Sequence, residues 1–306
     1  MNRFTVFNLL WKNTEKGDNK RLAKQKFPDD LIEDCNIPYV DDGNRYHLLD
    51  VYYPEVSDKA FLPVVIDVHG GGWMYGDKEL NKNYNLHIAR RGYVVFSISY
   101  RLVPTVTVAQ QIQDVFAALK KIDSLMDCYP CDRSRVMITG DSAGGQLAGF
   151  ASVINESEEL QRIFSVESNS LHFDCAGLVS PVAYMDVPFP IGVYTRSCLG
   201  KDYKSQLWGS YMNFGDLLKY AQLPPYFLVT SSGDFLAKTQ TRRAYEDLKK
   251  IGADVEYMYW DKTDGKHLEH VFSVLYPDSE PACKTIDAML DFFNNKCDEK
   301  KDAANV

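Results

Sequence analysis

A chain of 306 residues, 45% hydrophobic and 25% charged, can bury a large core without disulfides or metals. Its formal net charge of −8 argues against a nucleic-acid or anionic-membrane partner. The seven cysteines are odd in number and scattered, which fits a reducing compartment better than a disulfide framework. No stretch approaches the roughly 18–20 apolar residues of a membrane span. Phe4 to Trp11 is partly apolar, but Thr5 and Asn8 interrupt it and no small-residue cleavage site follows. The expectation is a cytoplasmic protein without a membrane partner.

Residues 1–33 mix Phe4, Phe7, Leu10 and Trp11 with polar spacing and a charged run from Lys12 to Lys26, which predicts a short helix or two. Cys35 to Val40 and His47 to Tyr53 read as strands joined by the turn Asp41-Asp42-Gly43-Asn44. Leu62 to Val68 is nearly continuous apolar sequence, the pattern of a strand buried on both faces of a parallel sheet. His69-Gly70-Gly71-Gly72-Trp73 follows it directly. Three successive glycines make either a flexible turn or a backbone that presents N–H donors to a developing negative charge. Tyr84 to Arg91 reads as a helix capped by Gly92, Tyr93 to Ile98 as a strand, and Gln110 to Met126 as an amphipathic helix carrying Ile112, Val115, Phe116, Leu119 and Ile122. Cys128-Tyr129-Pro130-Cys131 is a lone C-x-x-C in a turn before a strand, so it reads as structural rather than as a zinc or redox site.

The next stretch organises the chain. Val136-Met137-Ile138-Thr139 is a β-branched run that passes into Gly140-Asp141-Ser142-Ala143-Gly144 and on into a helix from Gln146. G-x-S-x-G between a strand and a helix is the pattern of a nucleophile elbow. Glycine is required where the turn presses against its neighbours, and the serine hydroxyl is lifted to the start of a helix whose N–H groups face it. With this elbow downstream, the donor-turn reading of Gly70 to Gly72 is favoured over the bland one.

Asp174 to Val179 is a further strand. Residues 182–222 then break the rhythm with Tyr184, Phe189, Tyr194, Tyr203, Trp208, Tyr211, Phe214 and Tyr220. Such a segment is either ordinary core under surface helices or a lid over the active edge of the sheet, and the lid reading is preferred. Tyr226 to Thr230 is a strand ending at Ser231-Ser232-Gly233-Asp234, Lys238 to Ile251 a helix, Val255 to Trp260 the last strand and Pro281 to Phe293 the last helix. The tail from Asn294 reads as frayed. These alternating runs give a mostly parallel central sheet of about eight strands flanked by helices, in one domain.

A serine needs a base within hydrogen-bond reach, and the base needs a group that holds its tautomer. In chain order Ser…Asp…His, the sequence supplies Ser142, then Asp234 just past a strand, then a histidine. His47, His87 and His172 all precede the acid, and His69 belongs to the glycine turn. His267 and His270 remain. His270 is preferred because Val271-Phe272 can anchor it to the core, with Asp261 and Asp264 as alternatives for the acid.

Taken together, the chain resembles the hormone-sensitive-lipase-like group of α/β-hydrolase carboxylesterases. The matching pieces are His69 to Gly72, Tyr100-Arg101-Leu102-Val103-Pro104, Gly140 to Gly145, Asp234-Phe235-Leu236 and His270-Val271-Phe272. The resemblance implies an α/β-hydrolase fold, Ser142 as nucleophile, Asp234 as acid, His270 as base, and the N–H groups of Gly71, Gly72 and Ala143 as the oxyanion hole. It also implies a lid built from residues 1–33 and 182–222. Phe235 stands where the family usually has proline, and Val271 where it usually has glycine. The implied activity is hydrolysis of small carboxylic esters through an acyl-enzyme, with no metal or organic cofactor. An amidase or arylformamidase on the same residues, or a ligand-binding relative without catalysis, is the alternative. The oligomeric state stays open, a homodimer included.

Overall fold

Leu62–Val68, apolar on both faces in the sequence, lies near the middle of the sheet in a computed structural model that describes residues 3–57, 60–188, 191–263 and 265–304. In chain order the elements are α1 (Arg3–Leu22), β1 (Leu31–Pro38), β2 (Leu48–Pro54), β3 (Leu62–Val68), α2 (Lys82–Ala89), β4 (Val94–Ile98), α3 (Val108–Leu125), β5 (Cys131–Asp141), α4 (Ser142–Ile154) and α5 (Glu158–Phe164). There follow β6 (Cys175–Val179), α6 (Ile191–Cys198), α7 (Phe214–Leu217), β7 (Tyr226–Ser231), α8 (Lys238–Lys250), β8 (Val255–Trp260), α9 (Phe272–Leu275) and α10 (Glu280–Ala304).

The eight strands run in the order β1-β2-β4-β3-β5-β6-β7-β8. β2 is antiparallel to both β1 and β4, and every pairing from β4 onward is parallel. Side chains alternate between the two faces. Val64, Ile66 and Val68 of β3 join one core, under α3 and α4, whereas Val65 joins the other, with residues of α2 and α10. Because both faces are covered by helices, both sets must be apolar, which is why these strands read as unbroken hydrophobic runs.

Three boundaries differ from expectation. The first helix is a single element of 20 residues rather than one or two short ones. β1 starts at Leu31, ahead of the expected Cys35. The tail after Phe293 is not frayed: α10 continues to Ala304. Cys297 carries the apolar stripe one turn further and is buried. Lys296 and Lys300 pair with Asp254 at 2.9 Å and Asp174 at 2.6 Å, so the charged residues pin the helix to strand ends instead of leaving it in water.

The aromatic segment divides between the two readings given above. Tyr184 and Phe214 are fully buried core, and Phe214 packs edge-on against Tyr226 at 5.6 Å. Tyr194 on α6 instead faces α1 and the glycine turn after β3. Phe189 and Asp264 lie outside the described residues. Among the described residues no helix is long and apolar enough to cross a membrane.

Candidate active site

The elbow forms because β5 runs straight into α4 with no linker. The Cβ that Gly140 lacks would lie 2.5 Å from the Gly144 carbonyl oxygen, and one on Gly144 would lie 2.0 Å from that of Val68. Ser142 itself has φ +52°, a left-handed conformation that a serine adopts only when its surroundings impose it. The imposing contacts include the Val182 N–H, which donates to the Ser142 carbonyl at 2.9 Å.

The structure brings Ser142, His270 and Asp234 together. His270 Nε2 lies 2.9 Å from Ser142 Oγ, and His270 Nδ1 lies 2.9 Å from Asp234 Oδ1. A proton on Nδ1 donated to the carboxylate leaves Nε2 free to accept from the serine hydroxyl. Asp234 is fully buried just past β7, yet its carboxylate is well supplied with partners. Oδ1 accepts from His270, from Leu236 N–H at 3.1 Å and from Ala237 N–H at 2.8 Å, and Oδ2 accepts from Thr230 Oγ1 at 3.0 Å. Burial works against the charge, but the His270 interaction, the Ala237 N–H and the Ser180 side chain hold the carboxyl below its usual range.

His270 is set by its neighbours. Ser231 Oγ donates to the Leu268 carbonyl at 2.7 Å, which ties the histidine loop to the end of β7. Val271 and Phe272 are buried, as the sequence reading required. Val271 has φ +51°, a left-handed conformation that suits the glycine usual in the family and is rare for a β-branched residue. Phe235, where the family usually has proline, is exposed. His267 is exposed and meets Ser232 Oγ at 2.5 Å, and Asp261 is exposed. His47 and His172 sit beside carboxylates elsewhere, at Asp42 and Glu156.

The glycine turn after β3 is joined to the elbow, the Gly70 N–H donating to Asp141 Oδ1. Gly71, Gly72 and Trp73 have φ of +111°, +55° and +64° in succession. Among the described residues no acceptor takes the N–H of Gly71, Gly72 or Ala143. Unpaired backbone donors are what stabilisation of an oxyanion requires. His69 orders the turn from below: it is fully buried, stacks on Tyr100 at 4.4 Å, and its Nδ1 lies 2.7 Å from the Gly70 carbonyl oxygen. Burial lowers the His69 pKa to about 4, so it stays a neutral ring. The Tyr100 hydroxyl donates to the His69 carbonyl at 2.7 Å, and Arg101 grips Asp114 at 2.6 Å, which accounts for the Tyr100-Arg101 motif.

Several residues of the site went unread in the sequence. Trp73 donates its indole N–H to Gln146 Oε1 at 2.9 Å, linking the glycine turn to α4 just past Ser142. Asp141 Oδ1 accepts from Gly70 N–H and from Asn81 Nδ2, both at 2.8 Å. Asn81 also donates to Asp67 at 3.1 Å, so two buried carboxylates share one amide. Asp141 and Gln146 were signalled only by lying inside the elbow stretch. Asn81 had no local signal. Among the described residues no group of three or more His, Cys, Asp or Glu side chains is placed to hold a metal ion.

A mostly parallel sheet with a strained serine between β5 and α4, and a histidine and an acid beyond later strands, is the fold of an α/β-hydrolase. A family model described as BD-FAE matches residues 49–194. Esterase B from Lactobacillus Rhamnosis superposes with a TM-score of 0.93 at 31% identity, covering 99% of this chain and 97% of that one. A second structure of that enzyme is described as inhibited by a C4-C4 tributyrin phosphonate. A probable carboxylic ester hydrolase, LipM of Mycobacterium tuberculosis H37Rv, is 24% identical over 78% of this chain and 57% of its own length. Arylacetamide deacetylase of Oryctolagus cuniculus is 30% identical over 56% of this chain and 43% of its own. The chain spans about half the length of these curated relatives. It belongs to the hormone-sensitive-lipase-like α/β-hydrolase family of carboxylesterases.

Proposed function

We propose that the protein is a serine carboxylesterase that hydrolyses small carboxylic esters through an acyl-enzyme. The observation that carries this reading is the pair of 2.9 Å contacts from His270, one to Ser142 Oγ and one to Asp234 Oδ1. Ser142 Oγ attacks the ester carbonyl while His270 Nε2 takes its proton, and Asp234 stabilises the imidazolium. The carbonyl electron pair moves onto oxygen, which the N–H groups of Gly71, Gly72 and Ala143 receive. As the pair returns, the C–O bond to the alcohol breaks and His270 gives its proton to the departing oxygen. Water then attacks the acyl-serine, His270 accepts and returns a proton, and the acid leaves with Ser142 restored.

Residues 1–33 and 182–222 act in this reading as a lid. Its support is the contact of Trp11 and Tyr194 with each other and of Tyr194 with Gly72. The phosphonate carried by the Lactobacillus esterase is built on tributyrin, which supports short acyl groups as substrates here. A second reading, amide hydrolysis on the same residues, draws on the relative named arylacetamide deacetylase.

The test is hydrolysis of p-nitrophenyl acetate, butyrate and octanoate by the protein beside Ser142→Ala, with matched anilides alongside. Ester turnover lost in the variant, with acetate or butyrate favoured over octanoate, is the expected result. Equal turnover by both proteins refutes Ser142 as nucleophile, and anilide rates above ester rates favour the amide reading.

A further inference from the structure

Within the turn the Gly71 carbonyl accepts from Met74 N–H at 3.1 Å and Tyr75 N–H at 3.0 Å, which holds the peptide that carries the Gly72 N–H, whereas the next peptide, from Gly72 to Trp73, depends on partners outside the turn. From beneath, the Trp73 carbonyl accepts from Gln111 Nε2 at 2.8 Å and from Val103 N–H at 2.9 Å, and its ring is held by Gln146. That fixes one end. Gly72, at the other side of the Trp73 peptide, is held from above by two aromatic residues that the sequence separates widely.

Trp11 on α1 donates its indole N–H to the Tyr194 hydroxyl at 2.9 Å. The Tyr194 hydroxyl in turn donates to the Gly72 carbonyl. A tyrosine hydroxyl has one proton, so accepting from an indole that can only donate commits that proton to Gly72. Burial pushes the Tyr194 pKa well above the ordinary tyrosine value, so the proton stays in place. Both rings also lie against the turn itself: a Cβ on Gly72 would meet Trp11 Cζ2 at 2.3 Å and Tyr194 Oη at 2.6 Å. Trp11 stacks on Tyr75 at 5.4 Å, and the Tyr75 hydroxyl donates back to Asp18 on α1 at 3.2 Å. Phe7 backs Tyr194 edge-on at 4.7 Å.

We propose that Trp11 and Tyr194 are positioning residues for the oxyanion turn: the relay from Trp11 Nε1–H through Tyr194 Oη–H to the Gly72 carbonyl anchors the peptide after Gly72 and so locks the turn in the shape in which the Gly71 and Gly72 N–H groups meet the reacting oxygen. The proposal rests on the esterase reading of that turn. It makes α1 and α6, whose contacting residues lie 183 positions apart, jointly necessary for a formed donor pair. Either segment lifting away releases Gly72, so the donors are aimed only when the site is covered.

Tyr194→Phe and Trp11→Phe each remove one hydrogen bond and keep an aromatic ring. In both, amide hydrogen exchange in the segment 69–76 is expected to rise about tenfold, with β3 and β5 unchanged. On p-nitrophenyl butyrate, kcat is expected to fall about tenfold while KM stays within about twofold. The double variant is expected to lose no more than Tyr194→Phe alone, because the two bonds act in series. Unchanged exchange in 69–76 overturns the positioning. Faster exchange with kcat intact overturns its link to the reaction, as does a rise in KM alone, which would make the two rings pocket wall and nothing more. If the parent protein lacks esterase turnover, or Ser142→Ala retains it, the esterase reading fails, and the exchange measurement still decides whether the relay holds the turn.

Discussion

The Asp141 carboxylate accepts the Gly70 N–H at 2.8 Å, so the residue before Ser142 grips the residue before Gly71 and Gly72, the proposed oxyanion donors. Asn81 Nδ2 reaches the same oxygen at 2.8 Å. Asp141→Ala leaves the Gly70 N–H buried and unpaired, at a cost of about 1–3 kcal/mol, and leaves Asn81 Nδ2 with Asp67 alone. The expected outcome is a lower urea midpoint together with a kcat reduced about ten- to a hundredfold. Asp141→Asn keeps one acceptor oxygen and is expected to recover much of the midpoint. Urea titration and ester kinetics on the same preparations check both.

Ser142 and His270 act as a unit if the mechanism holds. Ser142→Ala, His270→Ala and the double variant are then expected to fall to similar residual rates, since any one loss disables the whole relay of protons. Single-turnover and steady-state rates on p-nitrophenyl butyrate measure this. Losses that multiply in the double variant would count against the assignment.

Gly71 and Gly72 are predicted to differ in their tolerance of alanine. At Gly71, φ is +111° and an added Cβ would sit 2.0 Å from the Tyr75 carbonyl oxygen, which is backbone. At Gly72 the obstacles are the Trp11 ring and Tyr194 hydroxyl, both side chains. Gly71→Ala therefore has to rebuild the turn and is expected to lower kcat by about 10²–10³-fold, the scale of losing one oxyanion donor. Gly72→Ala is expected to cost less, and to lose much of its deficit when Trp11 is shortened to Leu in the same chain.

Burial pushes the Asp67 carboxyl up to about 7, and the nearby Asp141 carboxyl acts in the same direction. Unfolded aspartate titrates near pH 3.9, so between about pH 4 and 7 the folded chain binds more protons than the unfolded one. This group's contribution to stability therefore falls as pH rises through that window. Asp67→Asn removes the proton linkage and leaves an acceptor for Asn81 and Asn85. Going from pH 5 to pH 8, the parent is expected to lose stability relative to Asp67→Asn in urea titrations. A constant difference between the two proteins would show that Asp67 does not titrate there.

Val271 has φ +51°, where a β-branched side chain costs about 1–2 kcal/mol. Its side chain is also buried in the core that α10 covers. Val271→Ala loses that burial and keeps most of the backbone cost, whereas Val271→Gly loses the burial and the cost together. The glycine variant is expected to be the more stable of the two by about 1 kcal/mol, the reverse of their usual order, as read by thermal unfolding.

Much of this was legible from the chain. The buried strands announced themselves because helices cover both faces of the sheet, as at Val64, Val65 and Ile66. Ser142 and Asp234 were legible because each stands just beyond a strand end and His270 because it lies in the loop after the last strand, and the chain order Ser, Asp, His narrowed six histidines to two. The features that escaped depend on distant partners. Nothing near Trp11 marks it as a neighbour of Gly72, and nothing near Asn81 marks it as the link between Asp67 and Asp141. The charged tail from Asn294 was misread because its lysines resemble a solvated end. What makes it a helix is Asp254 and Asp174, carboxylates far away in sequence.

The wide separation of the site's residues also shapes how the protein is made. Ser142 and His270 lie 128 positions apart, and Trp11 and Tyr194 lie 183 apart. Contacts this remote close late, because loop entropy is lost before they return any stabilisation. During synthesis the serine leaves the ribosome long before its base, and the N-terminal helix waits for α6 to follow. On the proposed mechanism a nascent or truncated chain ending before residue 270 carries an inert hydroxyl, and reactivity is withheld until the whole sheet has assembled.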